Sequence, residues 1–436
     1  MPPLRRTKII ATVGPACDSV DGLAALIRAG VNVFRLNMAH GDVEAHSIRV
    51  DRIREAAKIV GEPVGILADL AGPKLRLGKL AGDTLPCESG DTLVLKRGRV
   101  AENPNEIVSE YEALLDEIVP GDRIVIGDGT IAMEVVSKQD DSATCRVLDG
   151  GTIRSRQGIA LPNTRLTIET IGPSDYAHAD WAAAKGLDYV SLSFVRQAED
   201  LRKLRLHLQK ANSKAAIIAK IEKRESLDLL DEIVSEADGI MVARGDLGLE
   251  VDIATTAVVQ KRIIDVCRRL HRPVIVATQM LESMHEAKRP TRAEVSDVSN
   301  AILDGADACM LSGETAVGKY PEESVRMMAR ILKEAEGLAL ETSLAVPMRS
   351  GRQEDITEAV LQGATQISRG IGSNVVVVVT RSGRSAILKS KHRDRIPTLC
   401  ITDAPPVVGQ ACLWWGVTPL LVDSIDSRPS MPVSFC

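Results

Sequence analysis

Aromatic residues are nearly missing from this chain: three Phe, four Tyr and three Trp make up 2% of its 436 residues. With hydrophobic residues at 44% overall, the core must be packed from Ala, Val, Ile and Leu. An excess of basic charge is missing too. The formal net charge is −5 and the pI about 5.9, which argues against a general nucleic-acid-binding face, though not against a local basic pocket. No apolar run approaches the roughly 18 residues that cross a membrane, so no membrane partner is expected. The basic start, Met1 to Arg6, leads straight into a strand-like segment without the apolar core of a signal peptide. Eight cysteines (Cys17, Cys87, Cys145, Cys267, Cys309, Cys400, Cys412 and Cys436) include no CxxC pair. That spacing suggests neither a zinc site nor a disulfide framework, and reduced thiols in the cytoplasm are the simplest reading. The seven histidines form no ligand pair, so no histidine-based metal site is expected.

What is present is a rhythm of apolar strand, polar tip and amphipathic helix. The strands are expected at Lys8–Val13, Val31–Leu36, Val64–Asp69, Asp188–Phe194, Ala215–Ile221, Gly239–Ala243, Pro273–Ala277 and Ala308–Leu311. Helical stretches separate most of them, among them Glu44–Val60, Thr255–Leu270 and Arg292–Asp304. Eight such units predict an α/β fold built on a closed (β/α)8 TIM barrel, whose functional residues collect at the C-terminal ends of the strands. The barrel is expected over residues 1–80 and 163–345. Residues 81–162, rich in Gly, Asp, Val and Thr, read as an inserted all-β lid domain. Residues 346–436 read as a C-terminal α/β domain with an open sheet, incomplete because no closing element follows Asp423.

Two barrel strands end on charge. Ala215–Glu222 (AAIIAKIE) stops on Lys220 and Glu222, and Gly239–Asp246 (GIMVARGD) on Arg244 and Asp246. Burying such groups is costly unless they are paired or bind a metal. The other tips add Arg35 and Asn37, Asp69, Lys74 and Arg76, Ser193 and Arg196, Thr278 and Gln279, and Ser312 and Glu314. Carboxylates suit a hard ion such as Mg²⁺, while the surplus of Arg and Lys suits a phosphate or carboxylate substrate. A metal plus several cations around an anion is the equipment of phosphoryl transfer. Each residue also has a bland reading: Lys220 in a structural ion pair, Arg244-Gly245 in a turn, His40-Gly41 in a turn. In the C-terminal domain, Thr380-Arg-Ser-Gly-Arg-Ser385 between strand and helix suits either a bound phosphate or a plain capped turn.

These residues resemble the pyruvate kinase family over nearly the whole chain. The motifs KIIATVGPA (8–16), RLNMAHG (35–41), IAKIEKRE (218–225), MVARGDLGLE (241–250), ATQMLESM (277–284), RPTRAEVSDV (289–298) and MLSGETAVGKYP (310–321) follow in family order. The resemblance implies phosphoryl transfer from phosphoenolpyruvate to ADP, giving pyruvate and ATP. It implies Mg²⁺ held by Glu222 and Asp246, with Mn²⁺ able to substitute. Lys220 would stabilise the phosphoryl group and the enolate, Arg35 would hold phosphate, and the backbone at Ala243, Arg244 and Gly245 with the Thr278 hydroxyl would hold the substrate carboxylate, Ser193 being a further substrate contact. Asn37, His40 and Arg76 would face the nucleotide phosphates. Thr380, Ser382 and Ser385 match the family's effector-phosphate loop, and a homotetramer is the family's usual assembly.

Departures from the family sharpen the expectation. Ala39 and Leu70 stand where the family commonly has hydroxyl ligands of K⁺, and Lys74 stands where it has Glu. An ammonium at Lys74 can supply the charge of the monovalent ion, so K⁺ is expected not to be required. Gln157 stands where a lid Lys often meets ADP. The short C-terminal region implies weak activation by a phosphosugar effector. Two other functions stay open at this point: a Mg²⁺-dependent lyase or aldolase acting on a pyruvate enolate, and a non-catalytic regulatory relative.

Overall fold

The computed structural model describes residues 5–127, 129–341 and 356–426. Eight parallel strands close into a barrel in chain order: Lys8–Thr12, Val33–Asn37, Gly65–Asp69, Tyr189–Leu192, Ala216–Ile221, Gly239–Ala243, Val274–Ala277 and Ala308–Leu311. The last strand pairs with the first, Ala308 opposite Lys8. The third pairs with the fourth across the long insertion, Leu67 opposite Tyr189. The all-apolar runs predicted this, because a parallel strand is covered on both faces and carries no polar alternation. Ends shift by a residue or two. The fourth strand stops at Leu192 because Phe194 turns left-handed, at φ 55°.

Helices follow most of the strands, with legible ends. Thr291 and Glu294 form a capping box at the start of Arg292–Asp304, and Gly305 at φ 106° ends it. One element departs from the turn considered for Arg244-Gly245. A helix, Arg244–Glu250, begins directly at the sixth strand's last residue and puts Asp246 in its first turn.

Three apolar cores organise the molecule. One lies between the barrel strands and their helices. The second fills the inserted β unit, where a six-stranded sheet and a two-stranded sheet pack around Leu93, Ile107, Ile124, Met133 and Cys145. Leu75, Leu77 and Leu80 belong to that core as well, so the chain joins the inserted unit a few residues before Ala81. The third core runs along the barrel axis (Ile10, Leu67, Ile218, Met241, Ile275, Met310) and continues without a break into Val378, Ala386, Cys400, Leu413, Trp414 and Val417 of the C-terminal region.

That region carries a three-stranded parallel sheet, with Thr398–Thr402 between Val376–Val379 and Val417–Leu421. It seals the N-terminal end of the barrel. Lys8 Nζ donates to the Val417 carbonyl at 2.7 Å, and Tyr189 Oη donates to the Gln410 carbonyl at 2.6 Å. Asp307, fully buried, accepts from Lys391 at 2.5 Å and Arg393 at 2.9 Å. The outer strand leaves Val377 and Val379, on one face, about half exposed, while Val378 on the other is buried. The expected boundary at 345–346 and the last residues, 427–436, lie outside the described residues. Among the described residues, no helix is long and apolar enough to cross a membrane.

Candidate active site

The barrel's C-terminal mouth is organised by a residue that was read only as a strand tip, Asp69. It ends the third strand and is 2% exposed. One carboxylate oxygen accepts from Arg35 Nε at 2.7 Å and pairs with its Nη2 at 2.5 Å. The other accepts from Ser191 Oγ at 2.5 Å and lies 3.4 Å from Lys220 Nζ. Burial by itself raises a carboxylate's pKa, but the Lys220 and Arg35 charges overcome it and hold Asp69 below the ordinary range. Thr12 Oγ1 takes a further bond from Arg35 at 3.1 Å. The arginine is thus fixed by two strands on either side of its own.

Lys220 is buried and meets three groups. Its Nζ lies 2.9 Å from Glu222 Oε1 and donates to Ser193 Oγ at 2.7 Å, in addition to the Asp69 contact. Desolvation pushes its pKa down, yet Asp69 and Glu222 together push it up further, so it stays an ammonium. The Ser193 hydroxyl in turn donates to the Leu70 carbonyl at 2.7 Å. Ser193 thus braces Lys220 from the end of the fourth strand.

Glu222, 1% exposed, accepts from the Phe194 amide at 2.6 Å through its second oxygen. Its pKa is raised, first by burial and then by the negative charge of Asp246, against the opposing pull of Lys220. Glu222 and Asp246 line one cleft with Lys74, Phe194, Arg196, Lys223 and Leu249, and Val125, Gly158, Ile159 and Ala160 of the inserted unit line it from the other side. Two carboxylates crowded so that one resists ionisation are a donor set that fits a small divalent cation.

Thr278 and Gln279 sit at φ 69° and 52°, a left-handed conformation costly for a β-branched residue. The Arg244 side chain explains how it persists. Its Nη2 donates to both carbonyls, Thr278 at 2.9 Å and Gln279 at 3.2 Å, and the guanidinium pairs with Asp297 at 2.7 Å. The Arg244 side chain is thus taken up by Asp297 and these two carbonyls, so any contact of this residue with a ligand runs through its backbone. The Thr278 hydroxyl accepts from Gly245 N at 2.8 Å and donates to the Ala277 carbonyl at 2.6 Å, tying it to the Ala243–Gly245 segment.

The remaining candidates lie further out. Asn37 Oδ1 accepts from Ala39 N at 3.2 Å, and His40 is exposed at the same loop. Arg76 Nη1 donates to the Arg156 carbonyl at 3.2 Å within the inserted unit. Gln157 is used locally, accepting from Arg154 N at 2.8 Å. Lys74 is exposed at the cleft wall. Thr380, Ser382 and Ser385 belong to the C-terminal domain and not to this site. Thr380 Oγ1 accepts from Gly383 N at 3.1 Å, and neighbouring Arg381 pairs with Asp403 and Asp426.

A barrel mouth of this kind, with an ammonium, a guanidinium and paired carboxylates under a β-rich cover, defines a phosphotransferase acting on a small anion. Comparison with known proteins makes the assignment specific. Residues 4–325 match the family model described as the pyruvate kinase barrel domain, and residues 358–434 match the pyruvate kinase alpha/beta domain. A pyruvate kinase of Mycobacterium tuberculosis is 38% identical over 98% of this chain and 90% of its own length. One from Geobacillus stearothermophilus is 39% identical over 95% of this chain and 71% of its own. A crystal structure of a pyruvate kinase from Cryptosporidium parvum superimposes with a TM-score of 0.92 at 36% identity, covering 97% of this chain and 88% of that one. The chain belongs to the pyruvate kinase family, and its reaction is phosphoryl transfer from phosphoenolpyruvate to ADP. The lyase and the non-catalytic reading both give way to this.

Proposed function

We propose that Glu222 and Asp246 hold a catalytic Mg²⁺, or Mn²⁺ in its place, and that Arg35, Lys220 and Thr278 carry out the transfer around phosphoenolpyruvate. The observation that supports this most is the Asp69 hub, which fixes an ammonium and a guanidinium beside a carboxylate pair. When bound, the ion supplies positive charge to the substrate's oxygens. Lys220, kept protonated, stabilises the phosphoryl group in flight and the enolate it leaves behind. Arg35 binds the phosphate. The Ala243–Gly245 backbone and the Thr278 hydroxyl receive the carboxylate, and Thr278 orders the water that protonates the enolate carbon. Asn37, His40 and Arg76 take the nucleotide phosphates. Lys74 places its charge where other members use K⁺, with Ala39 and Leu70 offering no side-chain oxygen, so turnover proceeds without K⁺.

The protein is proposed to be a cytoplasmic homotetramer. The seven described cysteines are free and buried, and Ile356, Val360 and Ile367 form an exposed apolar row on the helix Ile356–Gly370 that suits assembly. Activation by a phosphosugar at Thr380, Ser382 and Ser385 is proposed to be weak. A coupled assay of pyruvate formation from phosphoenolpyruvate, ADP and Mg²⁺ tests the account. Activity lost in Lys220→Met, and unaffected by adding K⁺, is expected. Activity retained in Lys220→Met, or raised tenfold by K⁺, contradicts the corresponding assignment.

A further inference from the structure

The loop Asn37–Gly41 carries two of the proposed nucleotide contacts on a short exposed turn, and something must hold it still. Its own bonds are few: Ala39 N to Asn37 Oδ1, and His40 N to the Asn37 carbonyl at 3.2 Å. Two bonds come from outside the turn: at its start Met38 N donates to the Asp69 carbonyl at 3.0 Å, and at its far side the bond comes from His46. His46, in the first turns of the helix Val43–Val60, is 1% exposed and places Nε2 2.9 Å from the His40 carbonyl oxygen. A carbonyl only accepts, so Nε2 carries the proton. Nδ1 is then a bare acceptor, and it is buried without a partner. Nothing on that side of the ring competes for the imidazole's orientation.

The surroundings fix the ring in place. Trp181 lies across it with ring centroids 6.0 Å apart, and the Trp181 indole donates to Ser47 Oγ, one residue on from His46. Gly41 sits beside the ring at φ 88°, a left-handed conformation that favours glycine. The Asp42 side chain caps the helix through Ala45 N at 2.7 Å, so the His46 backbone is set by the helix start. The imidazole faces Arg49, His178 and Asp42 as its charged or titratable neighbours, and burial together with Arg49 lowers its pKa, which keeps it neutral.

We infer that His46 is a positioning residue for the reaction: through the single bond from Nε2 to the His40 carbonyl it sets the Asn37–Gly41 turn in the form that receives the nucleotide phosphates. This rests on the nucleotide role proposed above for Asn37 and His40. The side chain itself lies behind the turn and touches no substrate.

The test uses the full chain in the coupled assay, with ADP and phosphoenolpyruvate varied separately and thermal unfolding measured alongside. His46→Asn has an amide too short to reach the carbonyl, whereas His46→Gln places an N–H near the lost Nε2. One neutral hydrogen bond corresponds to about a five- to tenfold effect. His46→Asn is expected to raise the KM for ADP by that factor, with kcat and the KM for phosphoenolpyruvate within twofold, and His46→Gln to restore the KM for ADP. Should His46→Asn fail to fold, an ADP KM for His46→Gln raised tenfold or more at unchanged thermal stability overturns the inference, and one near the wild-type value supports it. A fall in kcat and both affinities together with lost thermal stability, or equal damage in the two variants, overturns the inference. His40→Ala separates the two levels. An ADP KM unmoved by His40→Ala overturns the nucleotide role of the turn and the inference with it. An ADP KM raised by His40→Ala but not by His46→Asn overturns the inference alone.

Discussion

Replacing Asp69 with Asn keeps the volume and removes one charge from the centre of the site. In the native arrangement the carboxylate, itself 2% exposed, holds Arg35 through two nitrogens and meets Ser191 at 2.5 Å and Lys220 at 3.4 Å. The amide accepts on one side only. Its N–H₂ must face either the guanidinium or the Ser191–Lys220 side, where it meets other donors. Breaking a buried ion pair by removing one partner costs about 3–5 kcal/mol. At roughly 2 °C per kcal/mol for a domain of this size, the thermal midpoint should fall by roughly 5–10 °C. Arg35 then keeps Thr12 and at most one neutral acceptor, and a displacement of the order of 1 Å costs about a hundredfold in rate. The kcat/KM for phosphoenolpyruvate should fall at least that far. The pH dependence follows from sign. Asp69 is held below its unfolded pKa, so its contribution is complete above the ordinary carboxylate range and disappears only as pH falls through the lowered value. The stability gap between wild type and Asp69→Asn should therefore be constant from about pH 8 to about pH 5. Calorimetry across that range and the coupled assay at its centre are the measurements. An Asp69→Asn variant with the native midpoint and native kcat/KM would refute the hub.

Other consequences can be measured more simply. Arg244→Lys retains the charge but cannot bridge two carbonyls and Asp297 at once; kcat should fall about tenfold or more, and a double variant with Thr278→Ala should be no worse than Thr278→Ala alone, additivity of the two losses being the contrary result. Asp188 accepts from Ile66 N at 2.8 Å under the C-terminal domain, and burial raises its pKa to about 6. A carboxyl raised on folding is most favourable when protonated, so it costs stability as pH rises from about 4 through 6. Asp188→Asn should raise the urea midpoint at about pH 8 and have little effect at about pH 4, and an unchanged midpoint at the higher pH would count against that burial. A Cβ on Gly409 would lie 1.8 Å from Asp188 Oδ1, a close approach at the seal between the C-terminal domain and the barrel. Gly409→Ala should destabilise by about 1–3 kcal/mol in urea unfolding, and a neutral result would show that this contact yields freely.

The barrel was legible because each parallel strand is an unbroken apolar run, and because the charge at its end had no structural reason to be there. Glu222, Asp246, Lys220 and Arg35 were visible for that second reason. The side-chain directions of Asp69, Ser193 and Arg244 were not, since a residue type at a strand tip does not say which way its side chain turns. Asp69 turns sideways to two neighbouring strands, Ser193 turns back to the Leu70 carbonyl, and Arg244 turns outward to Asp297. Those directions depend on register across the barrel, which is a property of the closed sheet. His46 was hidden for a different reason: its partner is a backbone carbonyl, and any residue presents one.

The claim on which the mechanism stands is that Glu222 and Asp246 share one divalent ion next to Lys220. Electron paramagnetic resonance titration with Mn²⁺ measures this without turnover. One tight ion per chain is predicted for the wild type, with affinity reduced at least tenfold in Glu222→Gln and in Asp246→Asn and little changed in Lys220→Met. Equal Mn²⁺ affinity in the wild type and both carboxylate variants would contradict it.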